Sequence, residues 1–169
     1  MQRAVRVLFL LALAGLLFHV SSGLSQGQTA SEEGLAIIVN QSNPVENLSS
    51  AELRKIFLGE KSHWPNGRRI TLVMMDPGPE RKTVLREIYR MNESDFNNHF
   101  IHGLFTGEVF VSPKTLATPV DVRKFVFNVP GAIGYVRAAD VDPSVKAVRI
   151  DGRLPDDKEY KLRIQRGGK

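Results

Sequence analysis

The stretch Asp76-Pro77-Gly78-Pro79-Glu80-Arg81-Lys82-Thr83 is where this sequence comes nearest to a recognisable chemical site. Apolar residues precede it, helix-forming residues follow it, and two prolines with a glycine forbid both helix and ladder between them. A helix that starts directly after a strand and a tight loop offers unpaired amides and the positive end of its dipole, which suits an anion. Gly78, Arg81, Lys82 and Thr83 are therefore candidate anion contacts. The opposing reading is a solvated rim: prolines remove amide donors, Asp76 and Glu80 add negative charge, and cations in a first helical turn oppose the dipole.

Other chemistries are poorly supplied. His99 and His102 stand three apart and His63 lies elsewhere, but no acid partner sits at a metal-site spacing, so no metal and no cofactor are expected. The chain has no cysteine, no Gly-x-Ser-x-Gly elbow and no His-Glu-x-x-His, which leaves a hydrolase without a nucleophile and base. Binding rather than catalysis is the expectation. Three glycosylation sequons begin at Asn40, Asn47 and Asn92, and they read as chance matches.

With 169 residues, 42% hydrophobic and 24% charged, the composition is that of one ordinary globular domain. No body segment approaches the roughly 18 apolar residues of a spanning helix. The formal charge of +5 falls to +3 once Arg3 and Arg6 are set aside with residues 1–23, and the basic residues are scattered apart from Arg68-Arg69 and the tail Lys158 to Lys169. That surplus does not make a footprint for a phosphate backbone, so nucleic acid is not an expected partner.

The N-terminus has the three-part layout of a secretory signal peptide: Arg3 and Arg6, then 12 apolar or glycine residues from Val7 to Phe18, then the small residues Ser21-Ser22-Gly23. Residues 1–23 are expected to be removed on export to the periplasm, and 24–34 to form a flexible lead-in. An exported chain without cysteine must be stabilised by its core, and about 145 residues suffice.

The positioning elements follow from periodicity. Leu35-Ala36-Ile37-Ile38-Val39 is a buried strand closed by a turn at Asn40-Gln41-Ser42-Asn43-Pro44, and residues 69–75 are a second strand. Ser49 and Glu52 form a capping box for a helix to about Leu58, with Gly59 as its stop. Further helices are expected over 80–91, over 95–105 capped by Ser94, and from Thr118-Pro119 to about Phe127. In the third of these, Phe96, Phe100, Ile101, Leu104 and Phe105 form a stripe assigned to the core. Strands are expected after Pro130-Gly131 and over 145–150, with an edge strand over 159–165 and a fraying tail.

From Ile37 to Gly152 these residues resemble the periplasmic phosphate-binding-protein type of ABC-transporter solute receptor. The likeness is carried by Val39-Asn40-Gln41-Ser42-Asn43-Pro44-Val45, Leu48-Ser49, Ile56-Phe57-Leu58-Gly59, Trp64 and above all Pro130-Gly131-Ala132-Ile133-Gly134-Tyr135-Val136. It implies an α/β fold, a single lobe of a type II periplasmic-binding-protein fold with a mixed, mostly parallel sheet flanked by helices, over residues 35–152. Residues 153–169 would add the edge strand and a basic tail.

The resemblance also implies a ligand, phosphate or another small oxyanion, with Ser42 and Asn43 joining Gly78, Arg81, Lys82 and Thr83 as its contacts. The family's second-lobe loop offers an arginine and a Gly-Ser-Gly-Thr-like run, whereas the matching stretch here is Met74 to Arg81. Two expectations therefore stand side by side. One is an exported oxyanion-binding receptor module, closing its cleft by homodimerising or by docking on a membrane transporter. The other is a module of the same fold that has lost the ligand and serves as an interaction or sensory partner in the cell envelope.

Overall fold

The structure, a computed structural model, describes residues 32–165. The expected signal peptide, residues 24–31 of the expected lead-in and the tail beyond Gln165 lie outside the described residues. Along the chain run β1 (Glu32–Asn40), β2 (Asn47–Leu48), α1 (Ser50–Phe57), β3 (Thr71–Met75), α2 (Pro79–Val84), α3 (Glu93–Thr106), β4 (Lys114–Leu116) and α4 (Pro119–Asn128). Then come β5 (Ala132–Arg137), a 3-10 turn (Ala138–Asp140), β6 (Val145–Ala147), β7 (Arg149–Ile150) and β8 (Arg163–Gln165).

The main sheet has the order β4-β3-β5-β1-β6, with β8 added to β1. It is mixed, as expected, but it is not mostly parallel, because β1 at its centre runs against each of its partners. Parallel pairing is confined to the β4-β3-β5 side, while β1 runs antiparallel to β5, β6 and β8. β1 is buried from Glu33 to Asn40, as its continuous apolar run requires. It starts three residues before the expected strand, because Glu32, Glu33 and Gly34 pair with Gln165, Ile164 and Arg163 of β8. The lead-in therefore does not reach Gly34. Likewise the folded unit does not end at Gly152, since Tyr160 and Leu162 belong to the core. The single strand expected over 145–150 is broken at Val148 into β6, which pairs with β1, and β7, which pairs in parallel with β2.

Local signals were honoured where capping chemistry is specific. Ser49 and Glu52 form the reciprocal capping box of α1. Gly59 follows it at φ +76, and a Cβ there would stand 2.5 Å from the Val111 carbonyl oxygen. Thr118 caps α4 with Pro119 at its start. The cap of α3 is Asn92 rather than Ser94: its side chain accepts from the Asp95 amide, so the helix starts two residues early. Helix α2 passes at Leu85 into a π turn that runs to Tyr89 and stops at Arg90 in the left-handed region.

The helices enclose one core. Val122 and Val126 of α4 are fully buried against the sheet, where Gly134 leaves room for Val122. On the α1 side, Phe57, Tyr89, Phe96 and Phe100 stack edge to face or tilted, with centroids 4.9 to 6.3 Å apart. The stripe assigned to α3 is only half buried in fact. Phe96 and Phe100 are in the core, but Ile101, Leu104 and Phe105 are exposed, Phe105 by 89%.

Candidate functional site

Strand register decides which candidate residues can meet. Leu35 pairs with Arg137 and Val39 with Ile133, while Thr71 of β3 pairs with Ala132. The loop after β3 thus lies at the Glu33 end of β1, and the turn after β1 lies at the other end. Seven residues of extended chain separate Glu33 from Asn40, roughly 23 Å. Ser42 and Asn43 therefore do not share a site with Gly78, Arg81, Lys82 and Thr83. The expected six-residue site is two separate half-sites.

At the first half-site, β3 and β4 run parallel with Met75 opposite Leu116, and the Asp76 amide donates to the Leu116 carbonyl at 3.0 Å. The loop Asp76-Pro77-Gly78 then leads into α2, and Thr118 into α4, so two helices start beside each other. The two arginines of this end are already committed. Arg81 is buried and grips Glu93 with two nitrogens at 2.8 and 3.0 Å, donates to the Met75 carbonyl at 3.2 Å, and lies over the Phe96 ring. The Glu93 carboxylate, as hydrogen-bond acceptor, holds the guanidinium proton affinity above its usual value. Arg137 stands between the Glu80 carboxylate at 2.5 Å and that of Glu33 at 3.6 Å.

Arg81, expected as a ligand contact, is thus already engaged inside the protein. Thr83, expected as another, is buried and its hydroxyl donates to the Pro79 carbonyl at 3.0 Å on its own helix. Gly78 is the N-cap of α2 with no side chain to offer, and Lys82 is exposed. Arg137 was missed in the sequence, where it reads only as the last residue of an apolar strand.

The second half-site is richer in free donors. Asn40, buried at the end of β1, donates to the Val126 and Phe127 carbonyls at 2.9 and 2.6 Å and so ties the strand to the end of α4. Its own oxygen accepts from both the amide and the hydroxyl of Ser42, at 2.9 and 2.7 Å. The Ser42 oxygen in turn accepts from Arg68 at 2.7 Å. Asn43 is buried with its oxygen on the Val45 amide at 3.0 Å, and its Nδ2 has no acceptor. The Asn43 carbonyl accepts from Lys146 at 2.6 Å. Arg68 and Arg69 are exposed, and neither makes an ion pair among the described residues. This end therefore carries more donors than acceptors. The sequence shows Arg68-Arg69 only as a local basic pair, because Arg68 lies in a loop 26 residues from Ser42 and only the fold joins them.

Among the described residues no group of three or more histidine, aspartate or glutamate side chains is placed to hold a metal. His99 instead bonds the Leu58 carbonyl through Nε2 at 2.8 Å. No helix among them is long and apolar enough to cross a membrane.

A PBP superfamily domain is matched across residues 32–162, nearly the whole described chain. The chain belongs to the PBP superfamily. This PBP domain is 29% identical over 126 residues to the phosphate-binding protein PstS of Bacillus subtilis (strain 168), covering 74% of the present chain and 38% of that protein. Its fold is shared with an ABC-type phosphate transport receptor from Vibrio cholerae, at a TM-score of 0.58 and 21% identity over 80% of this chain and 55% of that one. PstS from Borrelia burgdorferi gives a TM-score of 0.62 at 13% identity, over 80% and 56%. The PBP domain thus spans little more than half of the solved receptors and less of the curated relative. The relatives are named for binding and transport, not for catalysis.

Proposed function

We propose that this chain is an exported solute-binding module of the phosphate-receptor type, a reduced one-lobe form that takes phosphate or another small oxyanion at the Ser42–Asn43 turn. The observation that carries the reading is the Arg68 guanidinium, which already donates to the Ser42 hydroxyl and has no carboxylate partner among the described residues. An oxyanion entering there meets a fork of charged donors with a hydroxyl beside it, the chemistry that suits a tetrahedral anion. The 29% identity to a phosphate-binding protein supports phosphate as the first ligand to try. Delivery to a membrane transporter, or signalling to a sensor, would then follow from a periplasmic location after loss of residues 1–23.

A second reading, an envelope interaction module without ligand, is favoured by one observation: Arg81 and Arg137, the arginines at the β3–β4 end, are both neutralised by carboxylates. Thermal-shift and calorimetric titration of the purified chain freed of residues 1–23, with phosphate and then sulfate, separates the two. A ligand that binds only the native state raises the melting temperature by mass action. Saturable stabilisation that disappears in Arg68→Ala and persists in Lys82→Ala supports the receptor reading. No response to either anion at millimolar concentration replaces it with the interaction module.

A further inference from the structure

A cleft among the described residues lies away from both half-sites. It has a volume of about 350 Å³ and is walled by the start of α1, the end of the π turn, the turn after β7 and the strap that leads into β8. Leu53, Ile150 and Leu162 give it an apolar lining. That volume is at the lower end of what small-molecule sites occupy, and an apolar lining with a few charged groups is their usual composition.

The walls are tied to one another before any ligand arrives. The Asp151 carboxylate accepts from the Ser50 amide at 2.8 Å and from the Ser50 hydroxyl, joining the β7 turn to α1. Arg54 donates to the Ile88 carbonyl at 2.6 Å and to that of Tyr89, joining α1 to the π turn. The strap is anchored on β1 by the Tyr160 hydroxyl on the Leu35 carbonyl at 2.9 Å and by the Leu35 amide on the Leu162 carbonyl at 2.8 Å. A cleft held open in this way does not lose affinity to its own ordering.

Backbone departures gather at the same place. Among the described residues only Arg90, at φ 57, and Asp151, at φ 50, hold a left-handed backbone without being glycine, and both line the cleft. The π turn supplies a third wall, and such turns concentrate at functional positions. Charge completes the argument. Arg86 is paired with Glu87 at 2.6 Å and Arg153 with Glu159, while Asp151 is occupied by Ser50. Arg90 and Lys161 line the cleft with no ion pair among the described residues.

We propose that this cleft binds a small amphipathic organic anion, its apolar body against Leu53, Ile150 and Leu162 and its acidic head between Arg90 and Lys161. The site is independent of the oxyanion turn, and Arg68→Ala does not alter it.

The test uses 1-anilinonaphthalene-8-sulfonate, a sulfonate on an apolar body, as fluorescent probe on the purified protein, with octanoate and 1-octanol as competitors. The expected result is a single saturable equivalent of probe, displaced by octanoate and not by the uncharged alcohol. Lys161→Glu and Arg90→Asn, the latter because asparagine tolerates the left-handed backbone, should each weaken binding about tenfold. Phe105→Ser should leave it unchanged. Equal displacement by octanol, or loss of the probe site in Phe105→Ser alone, overturns the proposal. Amide shift mapping of octanoate on the unmodified protein guards against a variant that misfolds. Perturbations at Leu53, Ile150 and Leu162 support the site, and perturbations confined elsewhere refute it.

Discussion

Arg81 has the residue type and the loop position of an anion contact, yet its guanidinium faces inward onto Glu93, Met75 and Phe96. Arginine suits that role because its planar fork satisfies a carboxylate with two bonds and still stacks on a ring. Removing it strands the Met75 carbonyl and opens the aromatic cluster. Arg81→Ala should therefore lower stability by about 1–2 kcal/mol in urea denaturation, since Arg81 is buried but Glu93 is half exposed, while leaving any phosphate response intact. Loss of the phosphate response at unchanged stability would restore Arg81 as a ligand contact. The tyrosines support a second residue-level prediction. The chain has three, Tyr89, Tyr135 and Tyr160, and burial pushes all three phenols above their ordinary value. A phenol that ionises more readily unfolded than folded contributes stability below about pH 10 and loses it as pH rises further. Absorbance at 295 nm should therefore show no tyrosinate until the protein unfolds, and a non-cooperative rise near pH 10 in the folded protein would contradict the burial.

At the scale of elements, the strap and β8 form an integral part of the sheet. They satisfy the first residues of β1 and bury Tyr160, Leu162 and Ile164. Burying three such side chains is worth about 5 kcal/mol, comparable to the roughly 5–15 kcal/mol that holds a whole domain together. A chain truncated after Gly152 should accordingly lose cooperative thermal unfolding, measured by circular dichroism. A truncated protein with an unchanged transition would return the domain boundary to Gly152. The capping box of α1, the Gly59 stop and the Thr118-Pro119 start were legible because each depends on contacts within four residues. The breaking of 145–150 into β6 and β7 was not, since the two halves pair with strands more than a hundred residues away in sequence.

At the scale of the whole molecule, the exposed Ile101, Leu104 and Phe105 recur at helical spacing on α3, so they share one face. An apolar face of this kind is the natural place for the homodimer contact that the sequence raised as an expectation. Phe105→Lys should leave folding stability within about 0.5 kcal/mol, because the ring buries little, and should reduce self-association in sedimentation velocity. Association unaffected by that change would place the dimer contact elsewhere.

The buried run of β1 and the capping signals determined an α/β domain from sequence alone, because hydrophobic period and capping act over a few residues, and its PBP type came from the resemblance carried above all by the Pro130-to-Val136 motif. The site was decided by tertiary structure. An antiparallel β1 sends Ser42 and the loop after β3 to opposite ends of the sheet, and no local signal reports strand direction. Which cations stay free was decided in the same way: Glu93 claims Arg81, Glu80 and Glu33 claim Arg137, and Arg68 is left beside Ser42, pairings made by packing between segments that are distant along the chain.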